Sequence, residues 1–177
     1  MRTNFFGLLL LCFMMACNSN TEKKETAAAP AAEKTAVDLP YKASYTTDWT
    51  QDVSDADLKM VLQSYKDWEN NNVPGLRSAF GDSLMVDMSD GTHVNGKTDD
   101  IVKTFTTYRD SLTSSLIKMD SWEKLYSPEK KESYVVTWYD QYDTFKSGKV
   151  DSASYHDINQ VKNGKITWYA QYKRPKK

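Results

Sequence analysis

The chain has 177 residues, of which 40% are hydrophobic and 27% are charged, and its formal net charge is −1. These values are typical of one globular domain, with room for a tail. Because a nucleic-acid binder would show a clustered basic face, we predict no nucleic-acid partner. The two cysteines, Cys12 and Cys17, lie near the N-terminus and support neither a disulfide framework nor a cysteine metal site.

Residues 1–16 form the first predicted segment, a signal peptide. Arg2 supplies a positive charge, and the apolar run of about twelve residues from Phe5 suits a signal peptide but is too short to span a bilayer. The run ends in Met14-Met15-Ala16-Cys17. Small residues before a cysteine at this place resemble the lipobox of bacterial lipoproteins, which implies cleavage before Cys17 and acylation of its thiol. A plain secretory leader with an incidental Cys17 is the alternative.

Acylation would anchor the protein to a membrane, because each buried CH₂ of an acyl chain contributes about 0.8 kcal/mol. We therefore expect a protein of the bacterial cell envelope, with the membrane as a partner through its N-terminal lipid. Residues 17–45 form a predicted flexible tether, since they offer little apolar surface to offset the entropy of ordering. Residues 46–177 remain as the predicted folded domain.

The first half of this domain predicts three helices and a strand. Ser54 precedes acidic residues as an N-cap, and Pro74 suits the first turn of a second helix. Thr98, followed by two aspartates, predicts the N-cap of a third helix. Alternation from Leu84 to Met88 predicts a short strand. The apolar stripe of the first helix consists of Leu58, Val61, Leu62, Tyr65 and Trp68.

The C-terminal third predicts an antiparallel meander that continues a strand from Ile117. Asn163-Gly164 lies between two runs of β-branched and aromatic residues, a pattern that favours a type I′ turn. The run from Tyr134 to Phe145 is apolar on both faces, so both faces of the sheet should be covered. The helices would cover one face, and a second copy of the chain is the simplest cover for the other, giving a homodimer. A half-exposed surface is the alternative.

Helices that precede an antiparallel sheet predict an α+β fold. From Asp55 to Lys173 the chain resembles the NTF2-like superfamily of cone-shaped domains, which includes SnoaL-like proteins and ketosteroid isomerases. The resemblance rests on the element order and on NVPGL at 72–76, Gly96-Lys97 and NGKI at 163–166. It implies helices packed on a curved antiparallel sheet, a pocket between them, frequent dimers, and functions from isomerase or dehydratase to binding without chemistry.

Asp87 is the candidate catalytic residue that the resemblance implies. Isomerases of this family place a general base on the strand after the second helix, and Asp87 falls there when counted back from Gly96. In an apolar pocket its pKa would be raised by desolvation, which suits proton abstraction near neutral pH. A solvated strand residue, or one that makes a turn hydrogen bond near Asp90, is the alternative. The oxyanion-stabilising partners are not clearly matched: Tyr65 lies on the right helix, and the position of the family's acid falls near Ser154.

Other polar and aromatic residues are candidates for lining the pocket, namely Tyr65, Trp68, Asp140, His156 and Tyr169. Asp140 and Asp143 lie three apart on a strand, so they point to opposite faces, and the neighbours His156 and Asp157 do the same. With two histidines and no metal-binding spacing, we predict no metal site, and no motif indicates a cofactor.

The sequence therefore predicts a membrane-anchored binding domain rather than an enzyme. We expect a small, largely apolar ligand, because aromatic residues would line the cavity with few polar groups among them. One alternative is a SnoaL-like isomerase, cyclase or dehydratase that uses Asp87 as its general base. Another is a protein-interaction module of the envelope that works through the outer face of the sheet.

Overall fold

The computed structural model describes residues 38–176, so the predicted leader, Cys17 and most of the predicted tether lie outside the described residues. Within that range, three helices and six strands belong to one compact unit that begins at Tyr41. They are α1 (Asp55–Glu69), α2 (Val73–Ala79), β1 (Phe80–Asp87), β2 (His93–Lys97), α3 (Thr98–Asp110), β3 (Leu112–Ser127), β4 (Glu132–Phe145), β5 (Val150–Lys162) and β6 (Lys165–Pro175).

The six strands form one sheet in the order β2-β1-β6-β5-β4-β3. Neighbouring strands are antiparallel except β1 and β6, a parallel pair that the sequence analysis did not predict. The pairing shifts between Met119 and Ser121 and between Gln160 and Val161, and such bulges bend a strand. The sheet is curved without closing, and the predicted α+β architecture is confirmed.

The first two helices begin as the sequence predicts. The Ser54 hydroxyl accepts a hydrogen bond from the Asp57 backbone N–H at 3.0 Å, which satisfies one donor at the start of α1. Val61 and Tyr65 are the buried members of the predicted apolar stripe. Pro74 lies in the first turn of α2. Capping and periodicity therefore place the apolar face of α1 against the sheet.

The third helix does not begin as predicted. Thr98 is its first helical residue rather than its cap, and the cap position belongs to Lys97, whose side chain makes no capping hydrogen bond. Because Thr98 is fully buried, its hydroxyl needs a partner in the interior. It donates to the Gly81 carbonyl at 2.5 Å, which ties α3 to β1.

Two hairpin turns differ in how well the sequence indicates them. Asn163 and Gly164 have φ angles of 53° and 68°, as the predicted type I′ turn requires. The turn at Asp90-Gly91 leads into β2, a strand that the sequence analysis missed. Four of its five residues are exposed, so no alternation of apolar and polar residues marks this strand.

One face of the sheet, here called the inner face, packs against α1. Tyr65 of α1 contacts Thr137 and Tyr139 of β4 on this face. Cross-strand pairing places Asp157 of β5 beside Thr137, and Tyr169 of β6 lies beside Asn159 on the same face. The core of the domain therefore lies between α1 and the inner face.

The opposite, outer face is covered at one end by the chain's own N-terminal segment. The Tyr45 hydroxyl lies 3.0 Å from the Tyr134 hydroxyl, and the Trp49 ring packs edge-on against Tyr134. Farther along this face, Trp138 and Tyr172 are 37% and 57% exposed. In a single chain, part of the outer face is therefore an open aromatic surface.

Candidate functional site

A buried carboxyl group lies at the centre of the inner face. Asp157 pairs in register with Thr137 of β4 and Gln171 of β6, and it is fully buried. Two phenol hydroxyls donate to its Oδ2: Tyr139 of β4 at 2.7 Å and Tyr65 of α1 at 3.0 Å. Strand alternation and the apolar face of α1 thus bring one helix and two strands together around a single carboxyl.

Tyr65 connects this carboxyl to a buried hydrogen-bond network. Its hydroxyl lies 2.8 Å from Thr137 Oγ1 and accepts from Asn159 Nδ2 at 3.1 Å. Asn159 also donates to the Val135 carbonyl at 3.2 Å. Because these groups are shielded from water, each hydrogen bond helps to fix the orientation of the next, and the Tyr65 hydrogen is directed at Asp157.

The second oxygen of the carboxyl is unpaired. Asp157 Oδ1 is buried and has no hydrogen-bond partner among the described residues. No ion pair found in residues 38–176 joins Asp157 to a basic side chain. Burial raises the pKa of Asp157 to about 7, against the opposing effect of the Tyr139, Tyr65 and Tyr169 hydroxyls. Near neutral pH this group therefore exists in both neutral and charged forms.

Tyrosine rings surround the carboxyl group. Tyr65 meets Tyr139 edge-on with ring centroids 5.1 Å apart, and Tyr139 stacks on Tyr155 at 5.2 Å. The Tyr169 hydroxyl lowers the pKa of Asp157. It also accepts a hydrogen bond from Gln171 Nε2 at 2.6 Å. We call Asp157 with these four tyrosines the Asp157 cluster. Tyr155 and Tyr169 are partly exposed, so they form its solvent-facing edge.

The phenols of the cluster act as hydrogen-bond donors towards Asp157. Burial first, and then the nearby charge of Asp157, raises the pKa of Tyr65, Tyr139 and Tyr169 well above the usual value for a phenol. They therefore stay protonated at physiological pH. The charge of the site is set by Asp157 alone among these side chains.

A second buried carboxyl, Asp143, lies on the same face and has both oxygens paired. It is 3% exposed. Ser115 donates to Oδ1 at 2.6 Å, and the Tyr108 hydroxyl donates to Oδ2 at 3.1 Å. Gln141 Nε2 donates to both oxygens, at 3.0 and 2.9 Å. Asp143 therefore links α3, β3 and β4. Full pairing of this kind is usual for a buried polar group with a structural role.

Asp87, the candidate catalytic base, lies on the outer face. Its carboxylate lies 2.6 Å from His93 Nδ1 and accepts from Trp168 Nε1 at 2.6 Å. These two contacts, His93 first, lower the pKa of Asp87, whose side chain is 42% exposed. The expected apolar pocket and raised pKa are wrong, because the alternation of β1 turns Val86 inward and Asp87 outward. Its catalytic role stays a prediction that this geometry does not favour.

Three of the predicted pocket residues lie on the helical side of the sheet. Tyr65 and Tyr169 belong to the Asp157 cluster. Trp68 lies near the end of α1, where its ring stacks on Tyr108 with centroids 6.1 Å apart. Its backbone carbonyl accepts from Arg109 Nε at 3.0 Å. The structure therefore gives Trp68 a packing role between α1 and α3.

The other two predicted pocket residues lie on the outer face. Asp140 accepts from Ser154 Oγ at 2.9 Å, and His156 stacks on Trp138 with centroids 4.9 Å apart. Asp140 and Asp143 do lie on opposite faces, as predicted. Neither Asp140 nor His156 reaches the interior, so both are corrected from pocket residues to outer-face residues.

The sequence analysis did not single out Asp157, Tyr139 or Asn159 as site residues. The signal was present in β5, where buried positions recur at every second residue from Asp157 to Val161. Asp157 occupies one of these alternating positions, so the sequence pattern could have predicted a carboxyl in the interior. The pocket prediction named its neighbour His156 instead, which lies on the opposite face of the strand.

Other features of the described residues lie away from this cluster. An open groove of about 290 Å³ runs along α1 between Asp55 and Lys66, and a void of about 10 Å³ lies beside Trp68. Among residues 38–176, no three His, Cys, Asp or Glu side chains are arranged to hold a metal ion. No helix in that range combines the length and the apolar character that crossing a bilayer requires.

No protein-family model and no curated protein matches the sequence. Solved structures do match. An NTF2-like protein of unknown function from Burkholderia pseudomallei is 15% identical, with a TM-score of 0.55, over 68% of this chain and 92% of that one. The domain has the NTF2-like fold. At this identity the similarity concerns the fold alone, and it agrees with the resemblance seen in the sequence.

Two further structures similar to this NTF2-like domain are complexes. A Mycobacterium tuberculosis protein in complex with estradiol-17β-hemisuccinate is 13% identical, with a TM-score of 0.55, over 67% of this chain and 94% of that one. A protein with a ketosteroid isomerase-like fold from Catenulispora acidiphila, in complex with trimethylamine, is 11% identical, with a TM-score of 0.53, over 64% of this chain and 84% of that one.

Proposed function

We propose that the chain is a lipid-anchored protein of the bacterial cell envelope whose NTF2-like domain binds a small, largely apolar ligand at the Asp157 cluster. The observation that carries the binding proposal is Asp157 Oδ1, a buried oxygen without a hydrogen-bond partner among the described residues. Buried polar atoms in proteins are normally paired. An unpaired one among aromatic rings suits a ligand that is mostly apolar and carries one polar group.

The edge of the cluster offers a route for such a ligand. Tyr155 and Tyr169 are partly exposed, and Met88 and Phe105 are partly buried hydrophobic residues of the same core. The rings of the cluster pack on one another, so a ligand that reaches Asp157 has to move the tyrosines at this edge. Two proteins of the same fold are known as complexes with small molecules, which supports a ligand-binding function for this domain.

A thermal-shift screen of the full-length chain tests this proposal. The panel holds small, mostly apolar compounds with one polar group, a steroid hemisuccinate among them. A true ligand at about 100 times its Kd stabilises the native state by about 2.7 kcal/mol. We expect the shift to be lost in Asp157→Ala and kept in Asp143→Asn. No stabilising compound, or an equal shift in Asp157→Ala, would contradict the proposal.

The membrane anchor is supported by the sequence around Cys17, which lies outside the described residues. The test is Cys17→Ser expressed in a bacterium with the native leader. We expect the wild-type chain in the membrane fraction and the variant outside it, with an acylated N-terminal peptide found by mass spectrometry in the wild type. An unmodified Cys17 in a membrane-free wild-type chain would contradict the anchor.

The open part of the outer face supports a second proposal, that two copies of the domain pair through it. Trp138, His156 and Tyr172 lie side by side on three adjacent strands, and Trp138 and Tyr172 remain exposed in one chain. Sedimentation should show a dimer that Trp138→Glu converts to monomer. Trp122→Glu, at a residue 48% exposed on the other side of the sheet, should leave the dimer intact. A monomeric wild type would contradict this proposal.

A further inference from the structure

Among the described residues, side chains around Asp157 donate hydrogen bonds to its Oδ2, and no basic side chain pairs with the carboxyl. The titratable side chains that face it are Tyr65 from α1, Tyr139 from β4 and Tyr169 from β6. All three are neutral phenols. A buried carboxylate is normally paired with a cation, because an isolated charge in the interior is costly. Within the described residues that cation is missing.

The hydrogen bonds are arranged for the charged form of the carboxyl. Tyr139 and Tyr65 both donate to Oδ2, and Asn159 donates to the Tyr65 hydroxyl, which leaves the Tyr65 hydrogen directed at Asp157. Two donors on one oxygen stabilise a carboxylate more than they stabilise a neutral acid. Oδ1 is then an acceptor without a donor in the part of the chain that the structure describes.

The rings of the cluster offer aromatic surface that suits a cation as well as apolar groups. The face of a tyrosine ring carries negative electrostatic potential and attracts an ammonium group placed over it. Tyr65, Tyr139 and Tyr155 form a continuous set of rings, with centroids 5.1 and 5.2 Å apart in successive pairs. A carboxylate within aromatic rings is suited to a positively charged nitrogen that also carries hydrogen.

We propose that the polar group of the ligand is a protonated amine, whose N–H donates to Asp157 Oδ1 while tyrosine rings of the cluster surround its apolar part. This inference rests on the proposed function, since it assumes that a ligand binds at the Asp157 cluster. Asp143 is the internal contrast: it is equally buried, but both of its oxygens are already paired.

A protonated amine binds the charged carboxylate, so its binding is linked to loss of the proton from Asp157. With the pKa of Asp157 raised to about 7, the charged fraction rises steeply from pH 6 to pH 8. Simple alkyl amines stay protonated over this range, as lysine does. The Kd of an amine should therefore fall about tenfold from pH 6 to pH 8, whereas the Kd of a neutral ligand should not.

Calorimetric titration of the full-length chain tests the inference with methylammonium, cyclohexylammonium and benzylammonium chlorides, each against the alcohol of the same skeleton. At pH 8 at least one amine should bind ten times more tightly than its alcohol, or better. Asp157→Asn should abolish this preference and the pH dependence. Asp143→Asn, a matched change of the other buried carboxyl, should keep both. Circular dichroism shows that each variant is folded.

If Asp157→Asn does not fold, Tyr139→Phe replaces it, because it removes one donor to Oδ2 and keeps the ring. Without that donor the pKa of Asp157 rises further, so amine affinity at pH 7 should fall while alcohol affinity stays the same. Tyr108→Phe, which removes one donor to Asp143 and lies outside the Asp157 cluster, is the control.

Equal affinities for amine and alcohol, or an amine preference that survives Asp157→Asn, would overturn the inference. If a neutral compound from the thermal-shift panel binds through Asp157 and no amine does, the proposed function stands and the amine inference alone fails. If neither neutral compounds nor amines bind, both fail.

Discussion

Asp143 and Asp157 are two buried carboxyls on the same face of one sheet, and they differ in how completely they are paired. Asp143 accepts from a serine, a glutamine and a tyrosine, through both of its oxygens. Asp157 accepts from two tyrosines through Oδ2, while Oδ1 has no partner among the described residues. The unpaired oxygen, more than burial itself, marks Asp157 as a candidate binding group.

The comparison has a physical basis. Burying a carboxylate costs free energy that hydrogen bonds and opposite charges have to offset. At Asp143 three side chains provide that compensation. At Asp157 the compensation is partial, because only Oδ2 accepts hydrogen bonds from the described residues. Three changes test this difference between Asp143 and Asp157, and a fourth tests Asp87 on the outer face. They are ordered by the size of the expected effect.

The largest expected effect is a loss of stability as the pH rises. A carboxyl whose pKa is about 7 in the folded chain and near 3.8 in the unfolded chain takes up a proton on folding. Its contribution to stability is therefore full below about pH 4, falls between pH 4 and 7, and is lost above pH 7. The free energy of unfolding should decrease by up to about 4 kcal/mol across this window.

Urea denaturation at several pH values measures this change, and Asp157→Asn is the control. The variant cannot ionise, so its stability should change far less between pH 4 and 8. It should be more stable than the wild type at pH 8. Parallel curves for the two proteins would show that Asp157 does not cause the pH dependence.

Removing the paired carboxyl should have the next largest effect. Asp143→Ala leaves the buried donors of Ser115 and Gln141 without an acceptor, which should cost about 2–3 kcal/mol at pH 5. At the same pH, Asp157→Ala should cost less, because Oδ1 of Asp157 makes no hydrogen bond among the described residues. Denaturant midpoints of both variants, measured side by side, check the order. An equal or reversed order would mean that pairing does not distinguish the two groups.

Deleting a single donor should have a smaller effect. Tyr139→Phe removes the 2.7 Å hydrogen bond to Asp157 Oδ2 and keeps the ring, at a cost of about 1 kcal/mol. The cost should be greater at pH 8 than at pH 5, because the lost donor stabilises the charged form. Tyr155→Phe, measured in the same way, should show no such pH dependence. If both variants respond equally, the pH dependence does not come from the hydrogen bond between Tyr139 and Asp157.

The smallest expected effect is at the outer face. Trp168→Phe removes one donor to Asp87, so the pKa of Asp87 should rise towards its usual value, and loss of this hydrogen bond itself should cost little stability because the carboxylate is solvent-exposed. Carbon-13 NMR titration of the Asp87 carboxyl measures this pKa. An unchanged pKa would mean that Trp168 does not contribute to its lowering.

The sequence predicted features that depend on neighbours along the chain. The Ser54 cap and the type I′ turn at Asn163-Gly164 are confirmed, because both follow from backbone preferences within a few residues. The buried carboxyl needed information from distant parts of the chain. Asp157 meets Tyr65 from α1 and Tyr139 from β4, and no local pattern shows that these three converge.

Face assignment was the step at which the site prediction went wrong. A shift of one residue moves a strand side chain to the other face, so His156 was predicted as a pocket residue although Asp157 takes the inner position. The strand β2, which positions His93 beside Asp87, was missed because its residues are mostly exposed. The fold could be predicted from element order, whereas the site depended on the register of each strand.

Carbon-13 NMR titration of the Asp157 carboxyl in the full-length chain tests the central claim most directly. The claim is that this group is buried and that, among residues 38–176, it has no basic partner and one oxygen without a hydrogen bond. We expect a titration midpoint near pH 7 in the free protein. A midpoint at or below about pH 4, the usual range of an aspartate, would show that the carboxyl is already compensated, and the claim would be contradicted.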